Sequence, residues 1–519
     1  MGPSNHSYLT ITYCSFHICS GLKINIEKSN LYGVGVGSVD IEEMAKVVGC
    51  KPERPPFKYL GLMVGANMNR VSNWQPVMEI FFSRLAKWKA HLLSIGGRVV
   101  LIKSVLESLP SYYFSLYKAP KKVINDLEAL IKKFLWGGSA EERKLHWVAW
   151  DKVTRTKKCG GLGLSKLQIV NTSLLAKWGW RFKTERSCLW KEVIAALHSS
   201  RVGWECIPFK KSLNGVWNNI AKNFINTKVG GKPLRNFLVG SVGDGKDIAF
   251  WLDTWLLNEP LKCVFPELFR LEADKKCRVA DRIYSHGSVD DIRWCWTSDP
   301  AMVGLQSSVG QLVTAISGTR IRLENDKWRW SSEGDGLFTV KALKKMLKDD
   351  IHQDNGFVLQ WCNWIPSKVN IHAWRLGMDR VPTALALMKR NIDIGDPVCP
   401  LCNSEEESAD HVFLACFVAS MVWQGISVWC KIPSIFAFSL KDLLSFHIDL
   451  KVSDKKRKAV HGVIMVACWG LWRARNGFKF SNATVKIEGI ISEIKALSFF
   501  GFPLDLSIKG LTGTNGFLL

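Results

Sequence analysis

CPLCNSEEESADHVFLAC, residues 399–416, holds three cysteines and one histidine. Their spacing is Cys399-x2-Cys402-x8-His411-x4-Cys416. A C-x2-C turn brings two thiolates to one tetrahedral ion, and the histidine and the last cysteine can supply the other two corners. Four nitrogen and sulfur ligands fill a zinc coordination sphere and leave no position for a reacting water, so the pattern predicts a structural Zn²⁺ ion.

The spacing of the last two ligands conflicts with a regular α-helix. Residues i and i+5 lie about 140° apart around the helix axis, so His411 and Cys416 cannot share one face. Either the helix widens here or one ligand lies at its end. In both cases zinc bond lengths of about 2.0–2.3 Å imply ligand atoms within about 4 Å of one another.

One other interpretation of this segment stays open. It is three buried cysteines beside an unrelated histidine, without a metal. The acidic run Glu405, Glu406 and Glu407 lies between the two ligand pairs, and we interpret it as a solvated loop tip.

The charge of the whole chain points to a polyanionic partner. The 519 residues hold 70 Lys and Arg against 46 Asp and Glu, a net charge of +24. Nucleic acid is favoured over an anionic membrane face or a basic protein kept soluble by its charge. No run of 18 or more apolar residues appears, so we expect no spanning helix and no membrane partner. We also expect no small-molecule substrate.

Cysteine usage indicates the compartment. Most of the 15 cysteines stand alone beside apolar residues, which is typical of buried free thiols in a reducing environment. The N-terminal residues are a poor secretory signal, so we expect an intracellular location. The stretch KVSDKKRKAV, residues 451–460, could add a nuclear localisation signal, and a solvated loop before a helix is the alternative.

The segment before the cysteines carries a resemblance to a known family. Residues 361–392 read WCNWIPSKVNIHAWRLGMDRVPTALALMKRNI. Together with the four ligands, this order resembles the zinc-binding domain near the C-terminus of plant LINE-type (non-LTR) retrotransposon reverse transcriptases. The matching elements are Trp361, Pro366, Lys368, residues 374–376, Pro382 and Thr383.

Two N-terminal motifs resemble the same family. SGLKINIEKSN, residues 20–30, is similar to the polymerase segment that follows the catalytic hairpin, and FKYLGL, residues 57–62, is similar to the primer-grip hairpin. The resemblance implies that Lys28 occupies the position of a lysine that assists pyrophosphate departure. It also implies a place for Lys58 beside the primer.

Three amphipathic helices are predicted after the second motif. The first starts at an N-cap, Asn73, carries an apolar stripe to Leu92 and ends at residues 95–97, IGG. The second covers about residues 98–109, and the third runs from Pro120 to Gly137 and Gly138. Such basic helices resemble a reverse-transcriptase thumb, which cradles the template–primer duplex. That resemblance implies phosphate contacts from Arg84, Lys87, Arg98 and Lys103, whereas a solvated helical bundle would explain these charges equally well.

The predicted architecture is an α+β multidomain chain. It comprises a palm remnant (1–65), a helical thumb (66–138), a mixed connection region (139–350), a small zinc-binding helical domain (351–432) and a C-terminal helical region (433–519). Within the connection region, Asp244-Gly245 and Asp335-Gly336 predict β-hairpin turns.

The catalytic carboxylates of the family have no counterpart in this sequence. In the family two of them stand in an F/Y-A-D-D hairpin shortly before the segment at 20–30, whereas residues 1–20 contain no Asp or Glu. We therefore predict no catalytic residues, no bound Mg²⁺, and a truncated reverse-transcriptase fragment that binds RNA and DNA as template–primer without polymerase activity. The alternatives are an RNA-directed DNA polymerase whose palm is completed elsewhere in the gene product, and a zinc-dependent protein-interaction module.

Overall fold

The computed structural model describes residues 15–501, apart from 24, 34, 89, 139–143, 187, 199–205, 211, 287–288, 332–334 and 351–355. About half of the chain is helical, and the strands form short two-stranded sheets. Mixed α and β content is therefore confirmed, while the division into five domains stays a prediction. Most of the N-terminal stretch without carboxylates lies outside the described residues. No described helix combines the length and the apolar character needed to cross a bilayer.

The helices lie along the whole described chain. The α-helices are Ser38–Val48, Gln75–Lys87, Ile95–Leu101, Ser111–Phe114, Lys121–Leu135, Trp150–Thr154, Leu167–Thr184, Leu189–His198, Val216–Asn226, Leu261–Val264, Pro266–Leu271, Gln306–Ile316, Val340–Asp350, Ser367–Leu376, Ala384–Met388, Phe417–Cys430, Leu440–Ser445, Asp454–Ser481 and Ile487–Gly501.

The strands pair locally, with one long-range exception. Asn30–Tyr32 pairs in parallel with Lys51–Glu53, and the other pairs are antiparallel. Strand Lys327–Trp330 joins Leu238–Ser241 across almost a hundred residues of chain. The antiparallel pairs are Phe57–Tyr59 with Leu62–Val64, Lys228–Val229 with Lys232–Pro233, Leu238–Ser241 with Lys327–Trp330, and Ile283–His286 with Val289–Ile292.

The hairpin predicted at residues 57–62 is confirmed. Phe57–Tyr59 and Leu62–Val64 form its strands, and Leu60 and Gly61 both have positive φ, 47° and 86°. Two positive φ values at the turn match the right-handed twist of a two-residue hairpin. Tyr113 Oη donates to Gly61 O at 2.9 Å, so the hairpin is held against the following helices.

The first predicted helix is shorter than expected at both ends. It spans Gln75–Lys87, and a 3₁₀ turn, Val71–Trp74, precedes it. Asn73 is therefore not the N-cap, and its side-chain amide instead donates to Asn67 O at 2.9 Å. At the other end Trp88 is extended, so the apolar stripe does not continue to Leu92.

The second predicted helix begins where the first was expected to end. Ser94 Oγ accepts from the N–H of Gly97 at 3.2 Å and caps Ile95–Leu101, which a π-helical turn, Ile102–Leu106, extends. A Cβ at Gly96 would lie 3.0 Å from Lys368 N. Gly96 therefore permits a close approach of two helices, and the interpretation of this glycine pair as a helix stop was wrong.

The third predicted helix is confirmed as Lys121–Leu135. Its inward face is buried as the period predicted, and it lies in the largest apolar core, which has members from residue 68 to residue 494. Trp374 Nε1 donates to Gly160 O at 2.7 Å across this core. The thumb-like helices and the helices around the cysteine cluster therefore share one hydrophobic interior, while the region from about 169 to 347 holds two further cores.

The hairpin predicted at Asp244-Gly245 is wrong, because a buried carboxylate organises this loop. Asp326 is 4% exposed. Its Oδ1 accepts from the N–H groups of Gly243 and Gly245 at 2.7 and 2.9 Å, and its Oδ2 accepts from Asp247 and Ile248 at 2.8 and 3.1 Å. The carboxylate thus satisfies donors that a strand ladder would otherwise have paired.

The second predicted hairpin, at Asp335-Gly336, falls partly on residues 332–334, outside the described ranges. Trp330 N–H donates to Gly336 O at 2.6 Å. The strand before this turn pairs along its length with Leu238–Ser241, and the bond from Trp330 to Gly336 is a turn contact, because no strand is formed at residues 335–339.

Replacing Asp326 with asparagine should lower the free energy of unfolding by about 2–4 kcal/mol, because the amide NH₂ would face two N–H donors. Chemical denaturation followed by tryptophan fluorescence measures the effect. Glu324→Gln, at an exposed carboxylate that pairs with Lys327, should leave the midpoint unchanged. Equal midpoints for both variants would contradict the role given to Asp326.

Candidate metal centre

The structure brings together the four residues that the sequence singled out as zinc ligands. The Sγ atoms of Cys399, Cys402 and Cys416 and a ring nitrogen of His411 all lie within 4.8 Å of one another. Cys402 Sγ and His411 Nε2 are 3.1 Å apart. These separations are close to the value of about 4 Å expected from zinc bond lengths.

A tight turn positions the first two cysteines. Cys399 N–H donates to Glu405 O at 2.8 Å, and Asn403 N–H donates to Cys399 O at 2.9 Å. Asn403 has φ +53°, a left-handed conformation that asparagine adopts more readily than most residues. An isolated antiparallel bridge between Val398 and Glu406 closes the turn. The local backbone therefore presents both thiols on one side.

A π-helical turn brings together the ligands His411 and Cys416, which are five residues apart. His411–Ala415 is π-helical, and Cys416 N–H donates to His411 O at 2.8 Å, an i to i+5 hydrogen bond. Cys416 itself is extended, with φ −63° and ψ 136°, and it precedes the helix Phe417–Cys430. The helix widens and the second ligand also lies at its end, so both alternatives left open by the sequence occur together.

The imidazole of His411 is held from both sides. Its Nδ1 lies 3.0 Å from Glu405 Oε2 while its Nε2 faces Cys402. A carboxylate on one ring nitrogen fixes the tautomer and leaves the other nitrogen free to bind a metal. Glu405 is therefore not only part of a solvated loop tip, because its carboxylate contacts a candidate ligand.

The interpretation of Glu407 as part of a solvated loop tip is wrong. Its side chain is fully buried, and both its oxygens accept from Arg475 Nη2, at 2.6 and 2.8 Å. Glu407 Oε1 also accepts from the N–H of Ala384 at 3.2 Å. Because Arg475 belongs to Asp454–Ser481, this ion pair fastens the cysteine turn to the long helix. No local signal in the sequence indicates a partner 68 residues away.

The buried thiols of Cys399 and Cys416 are linked by a hydrogen bond. The Cys399 S–H donates to Cys416, which lowers the pKa of Cys416, and the same bond together with burial raises the pKa of Cys399. Both thiols are buried. Three thiols and an imidazole that a carboxylate orients fit a Zn²⁺ ion of the structural type, which these four residues would hold with no open position for substrate.

Five of the six residues predicted to contact nucleic acid are exposed, and in four of these the side chain is not bound to a described main-chain carbonyl. Arg84 and Lys87 lie on Gln75–Lys87, Lys58 lies on Phe57–Tyr59, and Lys28 ends a 3₁₀ turn. None of the four makes an ion pair within the described part of the chain. Their side chains are therefore available to solvent and to a phosphate.

The other two predicted contacts are held by main-chain carbonyls. Arg98 Nη1 donates to Leu135 O at 2.9 Å, and Lys103 Nζ donates to Leu162 O at 2.7 Å. Burial lowers the pKa of both side chains. Periodicity placed them on a basic helix face but could not reveal that the half-buried Arg98 and the exposed Lys103 each bind a carbonyl distant in the sequence.

The basic residues 455–458 lie in the first turns of Asp454–Ser481, not in a loop before it. Ser453 caps this helix, and Arg457 pairs with Asp454 at 2.9 Å. A nuclear location stays a prediction.

Comparisons with known proteins place this metal centre in a recognised domain. A family model described as zinc-binding in reverse transcriptase matches residues 338–423. The chain is 30% identical over 425 residues to an Arabidopsis thaliana protein provisionally named a ribonuclease H protein, covering 79% of this chain and 64% of that relative. It is also 30% identical over 156 residues to an uncharacterized mitochondrial protein of Arabidopsis thaliana, covering 29% of this chain and 95% of that relative.

The purified chain should carry one zinc ion, and Cys402→Ser should lose it because three ligands no longer close the coordination sphere. Elemental analysis of the protein after dialysis measures the stoichiometry. Cys295→Ser, at an exposed cysteine outside the cluster, should keep its zinc. Full zinc occupancy in Cys402→Ser would exclude this ligand set. Chelation should raise hydrogen exchange at residues 398–416 more than in Lys121–Leu135.

Proposed function

We propose that this chain, which belongs to a family of proteins related to retrotransposon reverse transcriptases, binds a template–primer duplex on its exposed basic helix and uses zinc only to hold its fold. The family membership follows from the matches just described. The chain spans 64% of the length of its longer relative. The LINE-type subclass and the thumb-like role of the helices are part of the proposal.

The observation that carries the proposal is the exposed face of Gln75–Lys87. Val77 and Phe81 anchor this helix in the core with almost no exposure. Arg84 and Lys87 stand on its outer side without a carboxylate partner among the described residues. Cations fixed on a rigid element without an acidic partner retain their full charge for phosphates, which supply most of the affinity in sequence-independent binding.

The hairpin Phe57–Val64 supports the same surface. Tyr113 and Tyr117 donate to its carbonyls, at Gly61 and Met63, with distances of 2.9 and 3.0 Å. Lys58 is exposed on this hairpin. Because the hairpin and the helices are joined through these hydrogen bonds and the shared core, the backbone positions that carry these cations are held relative to one another.

Polymerase chemistry is not part of the proposed activity of these 519 residues. Phosphoryl transfer of this type needs carboxylates that hold two metal ions about 3.5–4 Å apart. The adjacent aspartates in the sequence are residues 290–291 and 349–350. Asp290 and Asp291 lie on Val289–Ile292, whereas Asp349 and Asp350 end a helix in a different core region, so they do not form an aromatic-Ala-Asp-Asp hairpin.

Replacing Arg84 and Lys87 together with alanine should weaken duplex binding and reduce the slope of log K against log salt by about two units, one for each phosphate contact. Fluorescence anisotropy of a labelled duplex across a salt series measures both quantities. Lys441→Ala, at an exposed cation on Leu440–Ser445, is the matched control and should keep the slope. An unchanged slope in the double variant would refute the proposed duplex surface, and no binding at all would favour the protein-interaction module.

The homogeneous 519-residue polypeptide should not extend a primer, because it lacks the carboxylates that position the catalytic metal ions. A primer-extension assay with Mg²⁺ and with Mn²⁺ measures this, and a known reverse transcriptase serves as the positive control. Template-dependent incorporation above a mock preparation would instead support the polymerase alternative.

A further inference from the structure

A cavity of about 540 Å³ lies beside the metal centre, at the junction of three helices. The helices are Ile95–Leu101, Ser367–Leu376 and Asp454–Ser481, and the end of Lys121–Leu135 completes the wall. Its volume is in the range typical of small-molecule sites. The cavity is distinct from the exposed face of Gln75–Lys87.

The described side chains that line this interhelical cavity carry charge of one sign. Arg98, Lys368, Arg375 and Lys144 line it, and no aspartate or glutamate stands among the lining residues that the structure describes. Within the described part of the chain, the first three make no ion pair with a carboxylate. Clustered cations repel one another unless an anion balances them, so the site is matched to an anionic ligand.

The walls also carry flat aromatic surface. Trp136, Trp147, Trp469 and Trp472 line the cavity. Lys368 Nζ lies 5.7 Å from the ring centre of Trp469, and the guanidinium carbon of Arg375 lies 5.5 Å from that of Trp147. Rings that alternate with cations suit a ligand with a phosphate and a planar base, as in other proteins that bind single-stranded nucleic acid.

Several polar atoms around the cavity have unused hydrogen-bonding capacity. Both ring nitrogens of His372, the Nε of Arg98, the Nη2 of Arg375 and the Nε1 of Trp469 are buried and make no hydrogen bond within the described chain. His372 is only 4% exposed. Buried polar groups are normally paired. A cluster of unpaired polar atoms in one wall is typical of a site whose hydrogen bonds are completed by a ligand.

The pKa shifts of two lining groups, Arg375 and His372, reflect burial first and neighbouring positive charge second. Burial first, and the charges of Arg390 and Arg98 second, lower the pKa of Arg375 to about 10. Burial and the charge of Arg375 lower the pKa of His372 to about 3. His372 is therefore neutral at physiological pH, and the positive charge of the cavity comes from its arginines and lysines.

We propose that the interhelical cavity binds one nucleotide unit, with its phosphate on Arg98, Lys368 and Arg375 and its base against the tryptophan rings. The unit could be an unpaired nucleotide at a strand end or a free nucleoside monophosphate, because the two share this chemistry. The inference rests on the proposed function only for its preference for a strand end. A base that is paired and stacked in a duplex cannot enter a cavity of about 540 Å³ between helices, so the site would select unpaired nucleotides.

Lys368→Met tests the proposal with little risk to folding, because Lys368 is exposed and its carbon stem is retained. The probes are a 5′-phosphorylated single strand of about 12 nucleotides, a blunt duplex of the same length, and adenosine 5′-monophosphate. With zinc-loaded full-length protein, Lys368→Met should weaken single-strand binding about tenfold, through the loss of one charge-assisted hydrogen bond. The affinity for the blunt duplex should stay unchanged.

The arms of this experiment separate the two sources of the ligand. Competition of the labelled strand by adenosine 5′-monophosphate in the wild type, weakened in Lys368→Met, identifies a mononucleotide site. If Lys368→Met weakens single-strand binding but adenosine 5′-monophosphate does not compete in the wild type, the ligand is an unpaired nucleotide at a strand end. Lys441→Met, the matched control, should change neither affinity, and unchanged strand and mononucleotide binding in Lys368→Met would overturn the proposal.

The same experiment distinguishes this proposal from the duplex surface. Arg84→Ala with Lys87→Ala should weaken the duplex and spare the mononucleotide. A chain that binds no duplex but loses mononucleotide binding on Lys368→Met would refute the proposed function and support the cavity.

Discussion

The buried ion pair between Glu407 and Arg475 is the contact on which the arrangement of the cysteine turn depends. Both side chains are almost fully enclosed, and their oxygen and nitrogen atoms are 2.6 Å apart. Removing one partner of such a pair leaves an uncompensated buried charge and typically costs about 3–5 kcal/mol. The pair joins the segment between the ligand pairs to Asp454–Ser481, so metal binding and helix packing reinforce each other.

That long helix also connects the metal centre to the interhelical cavity. Phe413, in the π-helical turn between two ligands, stacks on Trp472 with ring centres 6.2 Å apart and contacts His372 at 5.8 Å. The same tryptophan and histidine line the cavity. A structural metal held by the cysteine cluster would therefore fix one wall of a space in which it takes no direct part, as expected where a small metal-closed turn packs against a larger core.

Local patterns in the sequence predicted the elements whose determinants are local. The ligand spacing identified the four residues that converge, and the apolar period identified Lys121–Leu135. The helix boundaries predicted near Ser94 to Gly97 were wrong because Gly96 allows a close contact with Ser367 and Lys368, more than 270 residues away. It missed the loop around Asp326 and the burial of Glu407 for the same physical reason: a carboxylate that satisfies distant donors looks like any exposed acid in a linear sequence.

The structure separates the cations of the chain into an exposed group and a partly buried group. The excess of 24 positive charges indicated a polyanionic partner, but a net charge does not distinguish one cation from another. In the folded chain Arg84 and Lys87 are solvated, whereas Arg98 and Arg375 are partly desolvated beside tryptophan rings. Solvated cations act on a polyanion at long range and are screened by salt. Desolvated cations act at short range and demand a ligand of matching shape. One composition would therefore support both proposed modes of nucleic-acid recognition, and the packing of the helices would decide which residue serves which mode.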